Sequence, residues 1–354
     1  MFRDAVDSDL ENIAVLARNN ELLVPPLDEA AFARMLHWLH TGAPKGPRLQ
    51  IVFEDEGEIL AHFGAVPFEM KVGAQRIMAA FAANIVIDKV ARNKALFFPL
   101  QKSFAKLLAQ LGYAFSYGVM TRPVALKAHL ATGWKKVGDV MVFARPVSSG
   151  AIIGKLYPRL GLQGVIRALA LPVQTVFDWF TLGGRHRVQI EEVPDFGTSL
   201  DPFLARWVET QQVTAVRSSE ILNWRFVDFA ERKYRIHVAR TGTQVKGYMV
   251  TRKMPMHQFS TLALVDLIAM NDDAETASAL LDHCATVARD ENVDLIATAF
   301  PEHYCFRNLL KRKGFFRTAE KFTLVTKASG GTALPMNSDT FDQWLINWFD
   351  HDFV

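Results

Sequence analysis

The sequence predicts a mixed α/β protein built from two copies of one domain, each a twisted sheet flanked by helices. The chain has 354 residues, enough for about two domains that each bury their own core. A predicted β-hairpin at 51–63 recurs at 237–249, and a Gly–aromatic pair at 133–134 recurs at 314–315. Both repeats are separated by roughly 180 residues, a whole-domain spacing. Because two separate landmarks share one spacing, we favour an internal duplication over a coincidence of hairpins.

The order of elements in the first copy indicates a sheet with helices on its faces. Ser8-Asp9-Leu10-Glu11 predicts a capping box that starts the first helix. Beyond the hairpin, Asn84–Asp88 is typical of a strand, and a helix is predicted from Leu96 to about Leu111. A helix over Pro123–Ala131 and a strand over Val140–Phe143 complete the copy. This alternation of strands and helices predicts a mixed sheet.

The repeat divides the chain into four segments. Residues 1–147 form the predicted N-terminal domain, 148–194 a helical connector, 195–327 the C-terminal domain and 328–354 a tail. The connector is apolar with sparse basic residues, and we expect its helix to break near Pro172. A second interpretation is an interfacial membrane helix held by those basic residues. We favour the connector because the cations are few and widely spread.

Composition excludes several classes of protein. The chain is 50% hydrophobic and 22% charged, which is typical of a folded globular protein and not of a disordered one. Its formal net charge of +3 is too small to indicate nucleic-acid binding. With only Cys284 and Cys305, no disulfide framework is expected, which favours a reducing, cytoplasmic location. We expect neither a secretory signal nor a membrane span, because no segment is apolar for long enough.

One strand, loop and helix of the first copy have the composition of an anion site. Strand Asn84–Asp88 is followed by a basic loop with Lys89, Arg92 and Lys94, and then by the helix that starts at Leu96. The first turn of a helix has unpaired N–H groups and positive dipole potential, so phosphate is its natural ligand. The alternative is an ordinary strand–helix turn with solvated Arg and Lys side chains.

The element order, the hairpin, the basic loop and the late Gly–aromatic pair together resemble the GCN5-related N-acetyltransferases. The second copy makes the chain similar to tandem members such as the Eis-like enzymes and the acetyltransferases of polysaccharide-synthesis clusters. In that family a loop of the form Arg/Gln-x-x-Gly-x-Gly/Ala holds the pyrophosphate of acetyl-coenzyme A, and Arg92 matches its first position. Ala95 and Phe97 stand at its two small positions, so we expect weakened but not abolished binding. The resemblance implies a cofactor-binding set of Ile85, Val86, Ile87, Arg92, Asn93, Lys94, Ala95, Leu96 and Phe97.

The resemblance also implies the catalytic groups. The family tends to place a Tyr four residues before the late Gly as general acid for the departing thiolate, and His129 holds that position. An imidazole can transfer this proton because its ordinary pKa of about 6.5 lies near neutrality. Alternatively, His129 is a polar residue on the exposed side of its helix. Asn84 is the second catalytic candidate, on a strand whose N–H groups would stabilise developing negative charge. Further candidates lie in the tail: Asp350, Asp352 and the terminal carboxylate of Val354.

The second copy is predicted not to bind the cofactor. Where the phosphate loop is expected, Asp272, Asp273 and Glu275 open the helix with three carboxylates. Carboxylates stabilise a helix start but repel a pyrophosphate. Leu310 stands where the first copy has its predicted proton donor. We therefore expect the second copy to shape the acceptor cleft.

These observations predict an N-acetyltransferase that moves an acetyl group from acetyl-coenzyme A directly to an amine of a small molecule, an amino sugar or a similar compound. No metal is expected, because the His37/His40 and His283/Cys284 clusters lack partners at metal-ligand spacing. The alternative is a catalytically silent protein that uses the same fold to bind an acyl-coenzyme A or a protein partner. The imperfect phosphate loop favours this alternative. The sequence leaves a homodimer open.

Overall fold

The structure is a computed structural model that describes residues 1–22, 28–157, 163–184, 186–330 and 338–350, without the side chains of 92, 93 and 163–169. Its strands are β1 (Phe2–Asp4), β2 (Leu49–Asp55), β3 (Glu58–Val72), β4 (Gln75–Ile87), β5 (Phe115–Met120), β6 (Lys135–Pro146), β7 (Gln189–Val193), β8 (Val213–Ala215), β9 (Tyr234–Thr241), β10 (Gln244–Met256), β11 (Phe259–Ala269), β12 (Leu295–Pro301) and β13 (Phe316–Ala328). Its helices are α1 (Leu10–Asn19), α2 (Glu29–His40), α3 (Phe97–Gln110), α4 (Pro123–Ala131), α5 (Ser149–Leu156), α6 (Gln163–Thr181), α7 (Asp201–Glu209), α8 (Ser219–Phe226), α9 (Ala274–Asp290) and α10 (Arg307–Arg312).

The chain forms two compact units, and each contains a mixed set of paired strands. Unit 1 comprises Met1–Asp139, Gln211–Glu231 and Phe322–Trp344, and unit 2 comprises Val140–Thr210, Arg232–Lys321 and Leu345–Val354. The strand order is β1-β2-β3-β4-β5-β13 in unit 1 and β7-β9-β10-β11-β12-β6 in unit 2. Each sheet contains a parallel pair, β4 with β5 and β11 with β12, among antiparallel neighbours. The predicted mixed α/β fold class is confirmed.

The last strand of each sheet comes from the other half of the sequence. β6 follows the first copy but pairs with β12 in unit 2, and β13 follows the second copy but pairs with β5 in unit 1. The two units therefore divide the chain differently from the predicted linear boundaries of 1–147 and 195–327. The physical reason is that an open sheet edge has unpaired backbone groups, which any adjacent strand can satisfy.

Segment Gln211–Glu231 belongs to unit 1 through a pair of tryptophans. Trp38 Nε1 donates to the carbonyl of Trp224 at 2.7 Å, and Trp224 Nε1 donates to the carbonyl of Trp38 at 3.1 Å. The two rings stack with their centroids 5.3 Å apart. Both indoles are buried with their N–H groups bonded, the arrangement in which tryptophan stabilises a core most. β8, in the same segment, adds a short strand to β3.

The repeated Gly–aromatic pair ends a helix in both units. Gly133 and Gly314 have left-handed backbone conformations, with φ of 87° and 81°, and they follow α4 and α10. The N–H of Trp134 donates to the carbonyl of His129 at 3.2 Å, and Phe315 makes the equivalent bond at 3.0 Å. This helix ending favours glycine because glycine has no Cβ to oppose a positive φ. One structural requirement thus explains the repeat seen in the sequence.

Two local predictions from the sequence are wrong. Ser8 does not cap α1, because the carboxylate of Asp9 accepts from the N–H of Val6 at 2.8 Å and no side chain caps the helix start. The expected break near Pro172 is absent, since α6 runs through that residue. Proline usually interrupts or kinks a helix, but α6 continues past Pro172 to Thr181.

α3 packs on the sheet of unit 1 and fixes the position of the loop before it. The rings of Phe63 on β3 and Phe104 on α3 stack with centroids 4.0 Å apart. Leu100 and Leu108 of α3 are buried in the same cluster, together with Leu49 of β2. Burial of this apolar face is the main force that holds a helix against a sheet. The N-terminus of α3 is therefore anchored beside the end of β4.

Membrane and metal criteria give negative results for the described part of the chain. None of its helices combines the length and apolar character needed to cross a bilayer. Its His, Cys, Asp and Glu side chains form no group of three or more that could hold a metal ion.

Candidate functional site

The parallel strands β4 and β5 of unit 1 pair over three residues and then separate. Ala79–Phe81 lies beside Phe115–Tyr117, whereas β4 continues to Ile87. Beyond Phe81, β5 offers no ladder partner to the backbone of β4. We call this opening between the two strands the wedge. Unpaired strand N–H and C=O groups are strong hydrogen-bonding groups, so the wedge can receive an extended ligand that has amide groups of its own.

β4 is bulged inside the wedge at Asn84. The register against β3 shifts between His62 and Gly64, and Asn84 has a left-handed backbone with φ of 53°. Asparagine tolerates this conformation better than most other non-glycine residues. A bulge leaves its extra residue outside the ladder and changes where the backbone groups point. The structure thus brings the predicted residues 84–87 together along the wedge.

A buried polar network supports the bulge. His62 Nδ1 donates to the carbonyl of Asn84 at 2.7 Å, and His62 Nε2 accepts from Gln50 Nε2 at 3.2 Å. Asn84 Nδ2 lies 3.4 Å from His40 Nε2, and His40 Nδ1 donates to the carbonyl of Ala65 at 2.9 Å. Burial, and then the nearby His40 ring, lower the pKa of His62 to about 3. His62 is therefore a neutral imidazole that holds the backbone of Asn84.

The sequence analysis missed His40 and His62 as site residues. His40 was considered only as a metal ligand, and His62 only as part of a hairpin. The available signal was the polar residues Gln50 and His62 inside strands that are otherwise apolar. A second signal is Gly64, where an added Cβ would lie 2.6 Å from the His40 ring. Glycine at this position makes room for the imidazole.

The loop between β4 and α3 adopts a 3₁₀ turn over Lys89–Lys94. Asp88 starts the turn by accepting from the N–H of Val90 at 2.8 Å. Ala95 then has φ of 50°, in the left-handed region. The structure thus places alanine in the conformation for which the family pattern has glycine, at a cost of about 1 kcal/mol or more. No side chain caps the N-terminus of α3, so its first N–H groups are the loop's contribution to an anion site.

The charged residues of this loop are in different situations. The Lys94 ammonium pairs with the Asp55 carboxylate at 2.5 Å, and both side chains are exposed. Such a pair contributes little stability and exchanges readily for another anion. The side chains of Arg92 and Asn93 lie outside the described residues, so their predicted contacts stay predictions.

His129 is buried, with 2% of its surface exposed, so the interpretation that it lies on the exposed side of α4 is wrong. Its Nδ1 donates to the carbonyl of Ala125 at 2.7 Å, and its buried Nε2 has no hydrogen-bond partner among the described residues. Burial lowers the pKa of His129, opposed by the bond to Ala125 and assisted by Lys327. The rings of Phe97 and Trp134 flank the imidazole at 5.2 and 5.1 Å. His129 is therefore neutral, with Nε2 as an acceptor.

Unit 2 has the same wedge in the same register, but its own side chains occupy it. β11 and β12 also pair over three residues, Thr261–Ala263 with Leu295–Ala297. Thr298 follows the last pair, and its Oγ1 donates to the carbonyl of Leu264 at 2.9 Å. The hydroxyl of Tyr304 donates to the carbonyl of Leu267 at 3.1 Å. Two carbonyls on this edge of β11 thus have side-chain donors from within unit 2.

The corresponding positions of unit 1 cannot make these bonds. Gly118 follows the last β4–β5 pair, as Thr298 follows the last β11–β12 pair. Val124 is the seventh residue after the last pair, as Tyr304 is in unit 2, but it is exposed in the first turn of α4 whereas Tyr304 is buried. Glycine has no side chain and valine has no polar group. Neither residue can therefore donate a side-chain hydrogen bond to β4 as Thr298 and Tyr304 do to β11.

The helix start beside the unit 2 wedge is also closed. The Asp273 carboxylate accepts from the N–H of Thr276 at 2.9 Å and from its hydroxyl at 2.7 Å. Glu275 accepts from the N–H of Arg187 at 3.0 Å. A carboxylate cap occupies the groups that an anion would use, as the sequence predicts for this copy.

Comparisons with known proteins agree with this geometry. No family model and no curated protein matches the sequence, but solved structures match its fold over nearly the whole chain. A GCN5-related N-acetyltransferase from Anabaena variabilis has a TM-score of 0.64 at 11% identity, over 93% of this chain and 72% of that one. One from Kribbella flavida has a TM-score of 0.60 at 15% identity, over 93% and 70%. The N-myristoyltransferase of Saccharomyces cerevisiae, with bound myristoyl-CoA, has a TM-score of 0.61 at 13% identity, over 98% and 87%.

The chain has the GCN5-related N-acetyltransferase fold.

Within this fold, the tail candidate Asp350 belongs to unit 2. The Asp350 carboxylate accepts from the N–H of Asn347 at 3.1 Å, and Asn347 Nδ2 donates to Asp266 at 2.8 Å. Asp266 also accepts from the hydroxyl of Tyr248 at 2.6 Å. It lies next to the register shift of β11, so the tail completes a buried polar network at the unit 2 counterpart of the bulge. Asp352 and Val354 lie outside the described residues.

Proposed function

We propose that the protein is an acyltransferase in which unit 1 binds an acyl-coenzyme A and transfers its acyl group to an amine. The observation that supports this function best is the wedge, which is open in unit 1 and filled by Thr298 and Tyr304 in unit 2. A coenzyme A thioester has an extended arm with amide groups, which match the free edge of β4. The same fold in unit 2 offers no such edge.

The start of α3 suits the phosphates of the donor. Ala95 is left-handed and the first turn of α3 has no side-chain cap, so backbone N–H groups and the helix dipole are available to an anion. In this proposal Arg92 and Asn93 add contacts to the pyrophosphate, and Lys94 exchanges its exposed partner Asp55 for phosphate. The binding set is the one named from the sequence, Ile85–Ile87 along the strand and 92–97 in the loop.

Bound acyl-coenzyme A supplies a thioester carbonyl at the wedge. The N–H groups along 84–87 are the donors proposed to hold its oxygen as negative charge develops there, an arrangement that lowers the barrier most when the donors are fixed in advance. The His62 bond to the Asn84 carbonyl fixes them, because it ties the bulge to β3 at 2.7 Å. Asn84 is thus proposed to act through its backbone.

His129 is the proposed proton carrier. It starts neutral, accepts at Nε2 the proton that the attacking amine gives up, and returns that proton to sulfur as the C–S bond breaks. The new C–N bond replaces the C–S bond, so no net proton is consumed. The lowered pKa favours the neutral form at the start, and the Ala125 carbonyl holds Nδ1–H so that Nε2 is the working atom.

The finer assignment is acetyl as the transferred group and a small-molecule amine, such as an amino sugar, as the acceptor. It rests on the resemblance of the sequence. A screen of amines with acetyl-coenzyme A, read out by the released thiol, identifies the acceptor.

A catalytically silent acyl-coenzyme A-binding protein is the second candidate. Phe97 favours it, because its ring packs against His129 at 5.2 Å and stands where the family pattern has a small residue. This candidate would be supported if the unchanged chain binds acetyl-coenzyme A without acetylating an amine, while the Phe97→Ala variant does transfer the acetyl group.

The function is tested by calorimetric titration of the full chain with acetyl-coenzyme A and with desulfo-coenzyme A. We expect one site with micromolar affinity or better for both ligands, since the wedge and the loop do not need the sulfur. Absence of binding to either ligand would contradict the proposed donor site in unit 1.

A further inference from the structure

α6 packs its polar face against unit 2, whereas an ordinary amphipathic helix packs its apolar face against the protein. Its polar residues face inward: Asp178 accepts from Arg145 Nη2 at 2.6 Å and from Gln174 Nε2 at 3.0 Å. Thr181 also accepts from Arg145, at 3.2 Å. Gln174 in turn accepts from the hydroxyl of Ser149 at 2.6 Å. This polar stripe holds α6 to unit 2 by hydrogen bonds and an ion pair.

The outward stripe of α6 is apolar and aromatic. Trp179 is 76% exposed and Phe180 74%. Leu171, Val173 and Val176 are also more than half exposed, and Ile153 and Leu156 of α5 and the following Tyr157 are exposed as well. The two helices together with Tyr157 hold half of the large apolar side chains that are exposed in the described part of the chain. An apolar patch of this kind marks a surface that binds something.

The charges beside this patch indicate its partner. Arg289 lines one cavity with Leu171 and Trp179, and Arg312 lines another with Phe180. Both guanidinium groups are exposed, and neither forms an ion pair with a carboxylate among the described residues. Of the acids along these cavities, Asp178 is paired with Arg145, and Asp282 with Lys313 and His186. Glu275, the remaining one, accepts from a backbone N–H.

Two partners could cover this apolar stripe, a second copy of the chain or a lipid bilayer, and the neighbouring arginines favour one of them. If a second copy covered the stripe through the same surface, Arg289 and Arg312 would approach their own counterparts, and like charges at an interface are costly. An anionic bilayer offers headgroups for the arginines and an interfacial region for Trp, Phe and Tyr side chains. Charge complementarity therefore favours the bilayer.

We propose that the protein binds the surface of anionic phospholipid bilayers through the outward stripe of α6, with the helix lying in the plane of the interface. This binding is peripheral, because the polar stripe of α6 stays bonded to Arg145 and Ser149. It is independent of the proposed acyl transfer, which uses unit 1.

Trp179 is a built-in reporter for this contact. The other six tryptophans are all buried, with at most 7% exposure, so a quencher carried by lipid reaches Trp179 first. The full chain is mixed with vesicles of phosphatidylcholine alone, or of phosphatidylcholine with phosphatidylglycerol, each containing brominated lipid. We expect quenching and a blue-shifted emission with the anionic vesicles only, and their loss in high salt.

Variants identify the surface while keeping the reporter. Val176→Gln with Phe180→Gln should weaken vesicle binding about tenfold or more, because apolar burial at the interface is lost. Arg289→Glu with Arg312→Glu should weaken it on anionic vesicles. Phe316→Gln, an exposed aromatic residue on β13, is the matched control and should bind like the unchanged chain. Circular dichroism and thermal melting confirm that each variant is folded.

Three outcomes overturn the proposal. Equal quenching by neutral and anionic vesicles would remove the role of the arginines. Absence of quenching, with a concentration-dependent dimer in sedimentation that Val176→Gln with Phe180→Gln abolishes, would show that a second copy covers the stripe. Absence of both lipid binding and dimerisation would show that neither does.

Discussion

Units 1 and 2 repeat one strand order and one wedge between parallel strands, yet they differ in what fills it. Unit 2 bonds the backbone of β11 with Thr298 and Tyr304, and caps the adjacent helix with Asp273. Unit 1 has Gly118 and Val124 at the corresponding places and an uncapped α3. The comparison shows that a few side chains decide whether this fold bonds its own strand edge with side chains, and the proposed function assigns the edge without them to a ligand.

The buried hydrogen-bond networks beside the bulge of β4 and the bulge of β11 also differ. In unit 1, the neutral imidazole of His62, the His40 ring and the Gln50 amide support Asn84 from the side of β3. In unit 2, the buried Asp266 is bonded by Tyr248 and by Asn347 of the tail. Uncharged donors around a reacting carbonyl are suited to negative charge that develops there, whereas a carboxylate opposes it. This difference is why the proposed acyl transfer is placed in unit 1 and a structural role in unit 2.

The largest expected effect concerns His129, which has Leu310 as its counterpart in unit 2. His129→Phe keeps a buried ring and removes the proton-carrying Nε2, so kcat should fall roughly 100-fold, the usual contribution of acid–base catalysis. The affinity for acetyl-coenzyme A should remain close to that of the unchanged chain. Steady-state kinetics with the identified acceptor, together with calorimetry, measure both quantities.

The pH profile sharpens this prediction. Because burial lowers the pKa of His129, the neutral imidazole persists below pH 6.5, and the acidic decline of kcat should lie below that value and vanish in His129→Phe. A fall in kcat of less than about threefold would show that the residue is only structural.

The next prediction concerns the network of unit 1. The pKa of His62 is about 3 when folded and about 6.5 when unfolded. Below pH 6.5 the unfolded chain therefore binds a proton that the folded chain does not, and the free energy of unfolding should fall by about 1.4 kcal/mol per pH unit. His62→Gln should flatten this slope between pH 6 and 4 by about that amount.

Urea unfolding at several pH values measures the slope. The same replacement at the exposed His37 is the control and should leave the slope unchanged. Parallel curves for the unchanged chain and His62→Gln would show that His62 is protonated in the folded state.

A smaller effect is expected at the phosphate loop. Arg92→Glu should weaken acetyl-coenzyme A binding by more than tenfold, about 1.4 kcal/mol, because it replaces a charge-assisted bond by repulsion. Lys106→Glu makes the same change of charge further along α3, on an exposed residue, and should have much less effect. Equal affinities of the two variants in calorimetry would remove Arg92 from the site.

The fold class could be predicted because its signals are local or repeated. The Gly–aromatic pairs mark one helix ending in both units, and the strand, loop and helix from Asn84 onward lie where the sequence placed them. The pairing of β6 with unit 2 and of β13 with unit 1 could not be predicted. The sequence pattern of a strand does not indicate which of two open sheet edges it pairs with. Pro172 was misjudged for a related reason, since its local preference was overridden in the folded chain.

The candidate site was predicted in part. The strand with residues 84–87 and the turn and helix start with 92–97 follow one another as the sequence predicts, and their role in binding stays a prediction. The network of His40, His62 and Gln50 joins three separate elements. Such contacts depend on how strands pair and on which face is buried, which a single sequence does not contain. The relation of Gly118 to Thr298 likewise comes from the strand register of the two units and not from the sequence repeats.

The central claim is that the open wedge of unit 1 binds the acyl-coenzyme A, and Gly118→Thr tests it most directly. The variant gives unit 1 the side chain that fills unit 2. The atoms nearest to an added Cβ would be the flexible end of Met120 at 3.1 Å, the Cβ of Ala82 at 3.4 Å and its carbonyl oxygen at 3.5 Å, so we expect the chain to fold with a melting temperature close to that of the unchanged protein. Calorimetry should show acetyl-coenzyme A binding weakened at least about tenfold, with a smaller loss in Gly118→Ala and none in Thr298→Gly. Undiminished binding in folded Gly118→Thr, or binding lost in Thr298→Gly, would contradict the account.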